Sequence, residues 1–145
     1  MKTNMLQAKK ALMALFVILS PLLACAQTKV KIDGVWYNLI SKANQAEVTS
    51  PESGYSDYSG NIAVPSVVIY NNVEYKVVNI GDYAFYGCTS LESVVIDKGV
   101  KKIEWRAFGC CTSLTTVTLP IGVNKIGGSG FYNCRALVTL YVPAK

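Results

Sequence analysis

The chain has 145 residues with 14 Lys+Arg, 9 Asp+Glu, 5 Cys and no His. Half of it is hydrophobic (51%) and 16% is charged, too apolar for a disordered chain and long enough for one domain with an appendage. Without histidine, the commonest general base, serine–histidine and cysteine–histidine catalysis and every imidazole-ligated metal site are excluded.

Lys2, Lys9 and Lys10 precede an apolar run from Ala11 to Ala24, which ends at Ala24-Cys25-Ala26 before Gln27. A basic start, a short apolar stretch and a small-x-small exit describe a secretory signal peptide over residues 1–26. The run is too short to span a bilayer comfortably. Leu22-Leu23-Ala24-Cys25 also resembles a bacterial lipobox, which would make Cys25 the lipidated first residue, whereas Ala26-Gln27 is an ordinary cleavage junction. Both readings export the chain to the exterior or the cell surface. Removal of residues 1–26 takes three lysines and no acid, leaving 11 basic against 9 acidic residues. That balance gives no nucleic-acid surface.

Residues 27–79 read as a small amino-terminal β cap. Val30-Lys-Ile-Asp33-Gly34-Val-Trp-Tyr is a hairpin, since Asp-Gly adopts the positive φ of a type I′ turn. Ser66–Tyr70, Asn71-Asn72 and Val73–Val78 form a second hairpin on the same logic. Thr49–Gly60 is a loop by composition.

From Ile80 the chain repeats itself. Ile80-Gly-Asp-Tyr-Ala-Phe-Tyr-Gly-Cys-Thr-Ser-Leu-Glu-Ser-Val-Val-Ile recurs from Ile103 and again from Ile126. The register of 23 residues holds at Phe85, Phe108 and Phe131; at Cys88, Cys111 and Cys134; at Leu91, Leu114 and Leu137; and at Val94, Val117 and Leu140. A unit of this size cannot bury its apolar face alone and must stack on a neighbour. Leu91, Val94 and Ile96 therefore point inward on a short strand, with Ser93 and Val95 outward. Ala84-Phe85-x-x-Cys88 is a tight turn or short 3₁₀ stretch that places a ring and a thiol in the core. The predicted fold is a β-rich solenoid of parallel strands and short turn segments over residues 80–145, in coils 80–102, 103–125 and an incomplete 126–145. The last coil leaves Phe131, Leu137, Leu140 and Val142 without a neighbour, which points to a longer repeat array or to self-association at that end.

The pattern Ile-Gly-x-x-Ala-Phe-x-x-Cys-x-x-Leu-x-x-Val-x-Ile-Pro over residues 80–145 resembles the leucine-rich repeats of BspA-like bacterial surface proteins. Asp33-Gly-Val-Trp-Tyr, Tyr58-Ser-Gly-Asn-Ile-Ala-Val-Pro and Tyr75-Lys-Val-Val-Asn-Ile-Gly are similar to the lead-in of such proteins. Asp97 stands where proline is usual, Glu104 and Trp105 replace a glycine and a polar residue, Gly130 replaces alanine, and Cys110 adds a thiol. The resemblance implies a leucine-rich-repeat solenoid that binds host, matrix or neighbouring-cell macromolecules and performs no chemistry.

The residues agree. Asp82, Glu92, Asp97 and Glu104 lie on different turns, no Gly-x-Ser-x-Gly elbow accompanies Ser90 or Ser113, and no C-x-x-C pair is present. The expectation is no enzyme, no cofactor and no metal. Cys88, Cys111 and Cys134 are read as a ladder of small buried thiols with parallel Cβ directions, a disulfide being the competing reading; Cys110 is the thiol expected to be exposed or reactive.

The candidate binding face consists of the outward ladders Ser93/Thr116/Thr139, Val95/Thr118/Tyr141 and Glu92/Thr115/Val138, a hydroxyl-rich surface suited to protein or glycan ligands. Three strands give about 190 Å², against roughly 800 Å² per partner in a stable interface. Stable binding then calls on the cap aromatics Trp36, Tyr37, Tyr55, Tyr58, Tyr70 and Tyr75, on a longer array, or on many copies. The alternative reading is a structural piece of the cell envelope that self-associates through its open end.

Overall fold

A computed structural model describes residues 27–52, 54 and 58–142. The predicted signal segment with Cys25, and Tyr55, lie outside the described residues.

Among the described residues eleven strands run in chain order: β1 (Thr28–Ile32), β2 (Val35–Ile40), β3 (Gln45–Thr49), β4 (Ser59–Val64), β5 (Val67–Tyr70), β6 (Val73–Ile80), β7 (Ser90–Ile96), β8 (Lys102–Ile103), β9 (Thr116–Thr118), β10 (Lys125–Ile126) and β11 (Thr139–Tyr141). They form two sheets. One has the order β1-β2-β3-β6-β8-β10 with β5 paired to β6, and the other the order β11-β9-β7-β4.

Both predicted hairpins are present. Asp33 and Gly34 take φ of 47° and 84° between β1 and β2, and Asn71 and Asn72 take 50° and 62° between β5 and β6. Two successive positive φ values match the right-handed twist of the flanking strands. A third strand, β3, pairs antiparallel with β2 after a single turn of 3₁₀ helix at Ser41–Ala43, closed by Asn44 in the left-handed region. Asn tolerates that region better than most side chains.

The parallel ladders reach upstream of Ile80. β3 pairs parallel with β6, and β4 pairs parallel with β7 from Ser59↔Ser90 to Val64↔Ile96. Ser59 and Gly60, part of a stretch that composition reads as loop, open β4. The 23-residue spacing hides this rung: Val64 faces Ile96 across 32 residues, with a bulge between Gly60 and Asn61. Its small Gly60, Asn61 and Ala63 also carry none of the repeated identities.

Along the repeats, burial alternates as expected. Leu91, Val94 and Ile96 are buried, as are Leu114, Val117 and Leu119, while Ser90, Glu92 and Val95 face out. Phe85 and Phe108 stack at 4.9 Å and 5° between planes, and Phe108 and Phe131 at 5.1 Å and 2°. The three rings thus form one continuous column in a single core.

The segment between Ile80 and Cys88 is the tight turn and not a 3₁₀ helix, and its hydrogen bonds show why. The N–H groups of Ala84, Tyr86 and Cys88 donate back to the carbonyls of Gly81, Tyr83 and Phe85. The N–H groups between them, on Tyr83, Phe85 and Gly87, donate forward to Trp105, Ala107 and Gly109 of the next coil, at 2.7–3.1 Å. Arg106, Phe108 and Cys110 repeat the pattern onto Gly128, Gly130 and Tyr132. Alternating donors between turn and neighbour requires alternating backbone conformations, so Tyr83, Arg106 and Ser129 all have φ of 50–58°, and Gly87, Cys110 and Asn133 have 58–72°. The strain in a side-chain-bearing left-handed residue is on the order of 1–2 kcal/mol; the interlocking bonds hold it in place. This turn ladder is a third set of rungs beside the two sheets.

The outer face of the last coil is open among the described residues. Ile126, Leu140 and Val142 are exposed and Phe131 and Leu137 only half-buried, although their counterparts one coil earlier are buried.

Candidate binding surfaces

Pairing of β7, β9 and β11 brings two of the predicted columns into register. Ser93, Thr116 and Thr139 lie opposite one another, as do Val95, Thr118 and Tyr141. The third column, Glu92/Thr115/Val138, sits apart from the regular pairing. Glu92 is skipped at the bulge where Leu91 faces Gly60 and Ser93 faces Asn61. Its carbonyl instead receives the backbone N–H of Thr115 at 2.8 Å and the Thr115 hydroxyl at 3.0 Å, and Val138 N–H donates to the Thr115 carbonyl at 3.0 Å. These three residues form a corner beside the face, and Val138 is 87% exposed.

β4 adds two residues that sequence reasoning missed. Asn61 accepts the Ser93 hydroxyl on Oδ1 at 2.6 Å, and Ala63 lies opposite Val95. Four strands raise the flat area to about 250 Å². At its upstream edge the face continues into a cleft of about 380 Å³, lined by Asn61, Ala63, Pro65 and Val95 together with Asp33 of the first hairpin turn and Asp97. Only the β4–β7 pairing could have pointed to it, because its walls come from three separate stretches of chain.

Three of the aromatic residues of the amino-terminal region are not available to extend this surface. Tyr37, Tyr58 and Tyr75 are 1%, 3% and 7% exposed and belong to the core. Burial, with the charge of Asp33 behind it, pushes the Tyr37 phenol far above its ordinary range. Alternation decides this for β2: Val35, Tyr37 and Leu39 share its inward side, and the half-buried Trp36 shares the other with Asn38 and Ile40; Tyr70 on β5 is likewise half-buried.

The thiols form the expected ladder with an added function. Cys88 and Cys111 are buried, Cys110 and Cys134 half-buried, and none of the four is in a disulfide. Cys111 donates from Sγ to the Phe85 carbonyl at 2.9 Å, and Cys134 to the Phe108 carbonyl at 2.9 Å. Each thiol therefore ties its coil to the one before. Hydrogen bonding among the thiols of Cys134, Cys88 and Cys111, together with burial, holds the Cys111 thiol far above its usual range. Cys110, expected exposed or reactive, is half-buried between the Tyr86 hydroxyl and the Asn133 amide, each at 3.7 Å.

Two of the acids serve the scaffold. Asp82 accepts the Trp105 backbone N–H at 2.8 Å, and Glu104 pairs with Lys125 at 2.9 Å. Among the described residues no group of three metal-binding side chains converges, and no helix is long and apolar enough to cross a membrane.

A second surface, which sequence reasoning missed, lies on the turn ladder. Tyr83 meets Tyr86 and Trp105 edge-on, each at 5.2 Å. The Arg106 guanidinium lies 4.6 Å from the Trp105 ring and 5.8 Å from that of Tyr132. Tyr83 and Arg106 share one phase of the repeat and Tyr86 and Tyr132 another, but the residue identities there change from coil to coil, so the register carries no signal for them.

The model of the BspA type leucine-rich repeat region matches residues 58–145 in six copies. The chain belongs to the BspA-type leucine-rich repeat family. The match begins at Tyr58, where β4 supplies its rung ahead of Ile80. Among solved structures the chain is similar to a leucine-rich repeat protein of T. pallidum, at 27% identity and a TM-score of 0.65, over 80% of this chain and 50% of that one. It also shares its fold with a leucine-rich repeat protein of Bacteroides capillosus, at 22% identity and a TM-score of 0.55, over 80% of this chain and 99% of that one. The chain thus spans half the length of the T. pallidum protein. No curated protein matches it.

Proposed function

We propose that this BspA-type chain is an exported, non-enzymatic binding module that acts in adhesion or in contact with host or matrix macromolecules at the bacterial surface. The observation that carries the reading is the outward face of β4, β7, β9 and β11. Small polar and apolar side chains, with Tyr141 at one end, stand there in two aligned columns on strands paired side by side in one sheet. A rigid face of this kind offers ligands complementarity at little ordering cost. The cleft between Asp33 and Asp97 gives the face a concave end, where a protein or glycan ligand gains contact area. The amino-terminal segment 1–26 supplies the export signal, with Cys25 as the residue a lipid anchor would use. Residues 27–79 shield the first coil of the solenoid at 80–145.

The test is titration of the immobilised protein, processed as its native host exports it, with matrix proteins and a glycan panel. Saturable binding that Val95→Lys or Thr118→Lys abolishes supports the reading. Absence of saturable binding across the panel overturns it.

A second reading, a cell-envelope piece that self-associates, is favoured by the exposed Ile126, Leu140 and Val142 on the last coil. Concentration-dependent association in sedimentation, lost in Leu140→Lys, is its expected outcome; a monomer at high concentration rejects it.

A further inference from the structure

The turn-side surface is built differently from the sheet face. Tyr86, Tyr83, Trp105, Arg106 and Tyr132 touch in sequence, spanning three coils. Trp105 is 43% and Tyr132 58% exposed. The rings lie close on the backbone beneath: a Cβ at Gly109 would come within 2.8 Å of the Tyr86 ring, and one at Gly128 within 3.4 Å of Trp105. Glycine at 109 therefore gives the Tyr86 ring its seat, whereas the distance at Gly128 is ordinary contact.

Among the described residues Arg106 has no salt-bridge partner. Arg106 Nε is buried and finds no hydrogen-bond partner among the described residues. Glu104 is paired with Lys125, and the Asp82 carboxylate is held on the Trp105 N–H and makes no ion pair with Arg106. Arg135 adds a second guanidinium, donating to Asn133, whose amide reaches Cys110 and so connects to Tyr86. A guanidinium stacked on rings keeps its planar fork ordered, and that fork matches a carboxylate. Trp, Tyr and Arg are also the residue types that dominate binding energy in protein interfaces. The exposed ring area is on the order of 300 Å², well short of the roughly 800 Å² per side of a domain–domain contact. It suits a short segment.

We propose that the ridge of Tyr83, Tyr86, Trp105, Arg106 and Tyr132 docks an acidic peptide segment of a partner protein, with Arg106 taking the carboxylate and the rings flanking it. The site is separate from the sheet face and acts independently of it.

A random twelve-residue peptide library displayed on phage, panned against the immobilised full chain, tests this. Selected peptides are expected to be enriched in Asp and Glu, and to lose binding as synthetic versions with Gln or Asn in place of the acids. Affinity falls at least tenfold in Arg106→Gln and in Tyr132→Ser, falls less in Arg106→Lys, and is unchanged in Val95→Lys. The proposal is overturned by selection without acidic enrichment, or by binding that neither Arg106→Gln nor Tyr132→Ser weakens. It is equally overturned if oligogalacturonate binds with that Arg106 dependence and acidic peptides do not, which makes the surface a polysaccharide site. Loss of the sheet-face binding in Val95→Lys, with ridge binding intact, keeps the two surfaces distinguishable.

Discussion

Tyr58 places its ring 4.7 Å from that of Phe85, tilted by 51°, at the upstream end of the phenylalanine column. Its hydroxyl accepts the Trp36 backbone N–H at 2.9 Å and donates to the Thr49 carbonyl at 2.7 Å. Trp36 and Thr49 are paired across β2 and β3, so the phenol bridges a rung of the antiparallel sheet while its ring closes the solenoid core. Tyr58→Phe keeps the ring and leaves both backbone groups short of a partner. Each buried, unsatisfied group is worth about 1–3 kcal/mol. The expected outcome is a loss of at least 1 kcal/mol in urea denaturation, with ligand binding at the sheet face unchanged in the folded protein.

The column itself predicts a gradient. Phe108 is stacked on both faces and fully buried, whereas Phe131 is stacked on one side and half-buried. Phe108→Ala should cost about 3–5 kcal/mol, as for a buried aromatic, and Phe131→Ala about half of that or less. Equal losses in chemical denaturation would contradict a column that opens toward its last coil.

Cys111 separates packing from hydrogen bonding. Cys111→Ala and Cys111→Ser both lose the bulky sulfur, but only serine retains a donor for the Phe85 carbonyl. Serine is expected to be the more stable of the two by about 1 kcal/mol. Thiol titration of the denatured, unreduced protein should find Cys88, Cys110, Cys111 and Cys134 all free. In the native state Cys110 and Cys134 should react before the buried Cys88 and Cys111.

Glu47 gives a pH dependence. Burial in the sheet raises its pKa above the ordinary glutamate value, opposed in part by hydrogen bonds from Asn79 and Asn38. The folded state then binds its proton more tightly than the unfolded chain, whose glutamate titrates near ~4.3. Stability is therefore highest below that value and falls as pH rises through the folded pKa. Glu47→Gln should remove this part of the pH slope, so that its stability relative to wild type improves from acidic to neutral pH. A parallel pair of stability–pH curves would refute the assignment.

The 23-residue register was legible because stacking demands it. When each coil shelters the next, the same apolar residue must return at the same phase, and Phe85, Cys88, Leu91 and Val94 do so. The hairpin turns at Asp33-Gly34 and Asn71-Asn72 were legible because few residue pairs accept two positive φ values. The β4 rung was not, since its contact with β7 spans a non-repeating interval and a bulge. Nor were the left-handed Tyr83, Arg106 and Ser129, whose backbone follows from bonds to the neighbouring coil and not from their own preferences.

The amino-acid sequence by itself determined the period, the inward column and the two outward columns of the sheet face, because these depend on spacing along one chain. Only the tertiary structure decided that Tyr37, Tyr58 and Tyr75 are core, that Asn61 and Ala63 extend the sheet face, and that Arg106 lies among the rings of Trp105 and Tyr132. Those relationships join residues that carry no repeated identity, most of them far apart in the chain. Their geometry exists only once the coils have stacked.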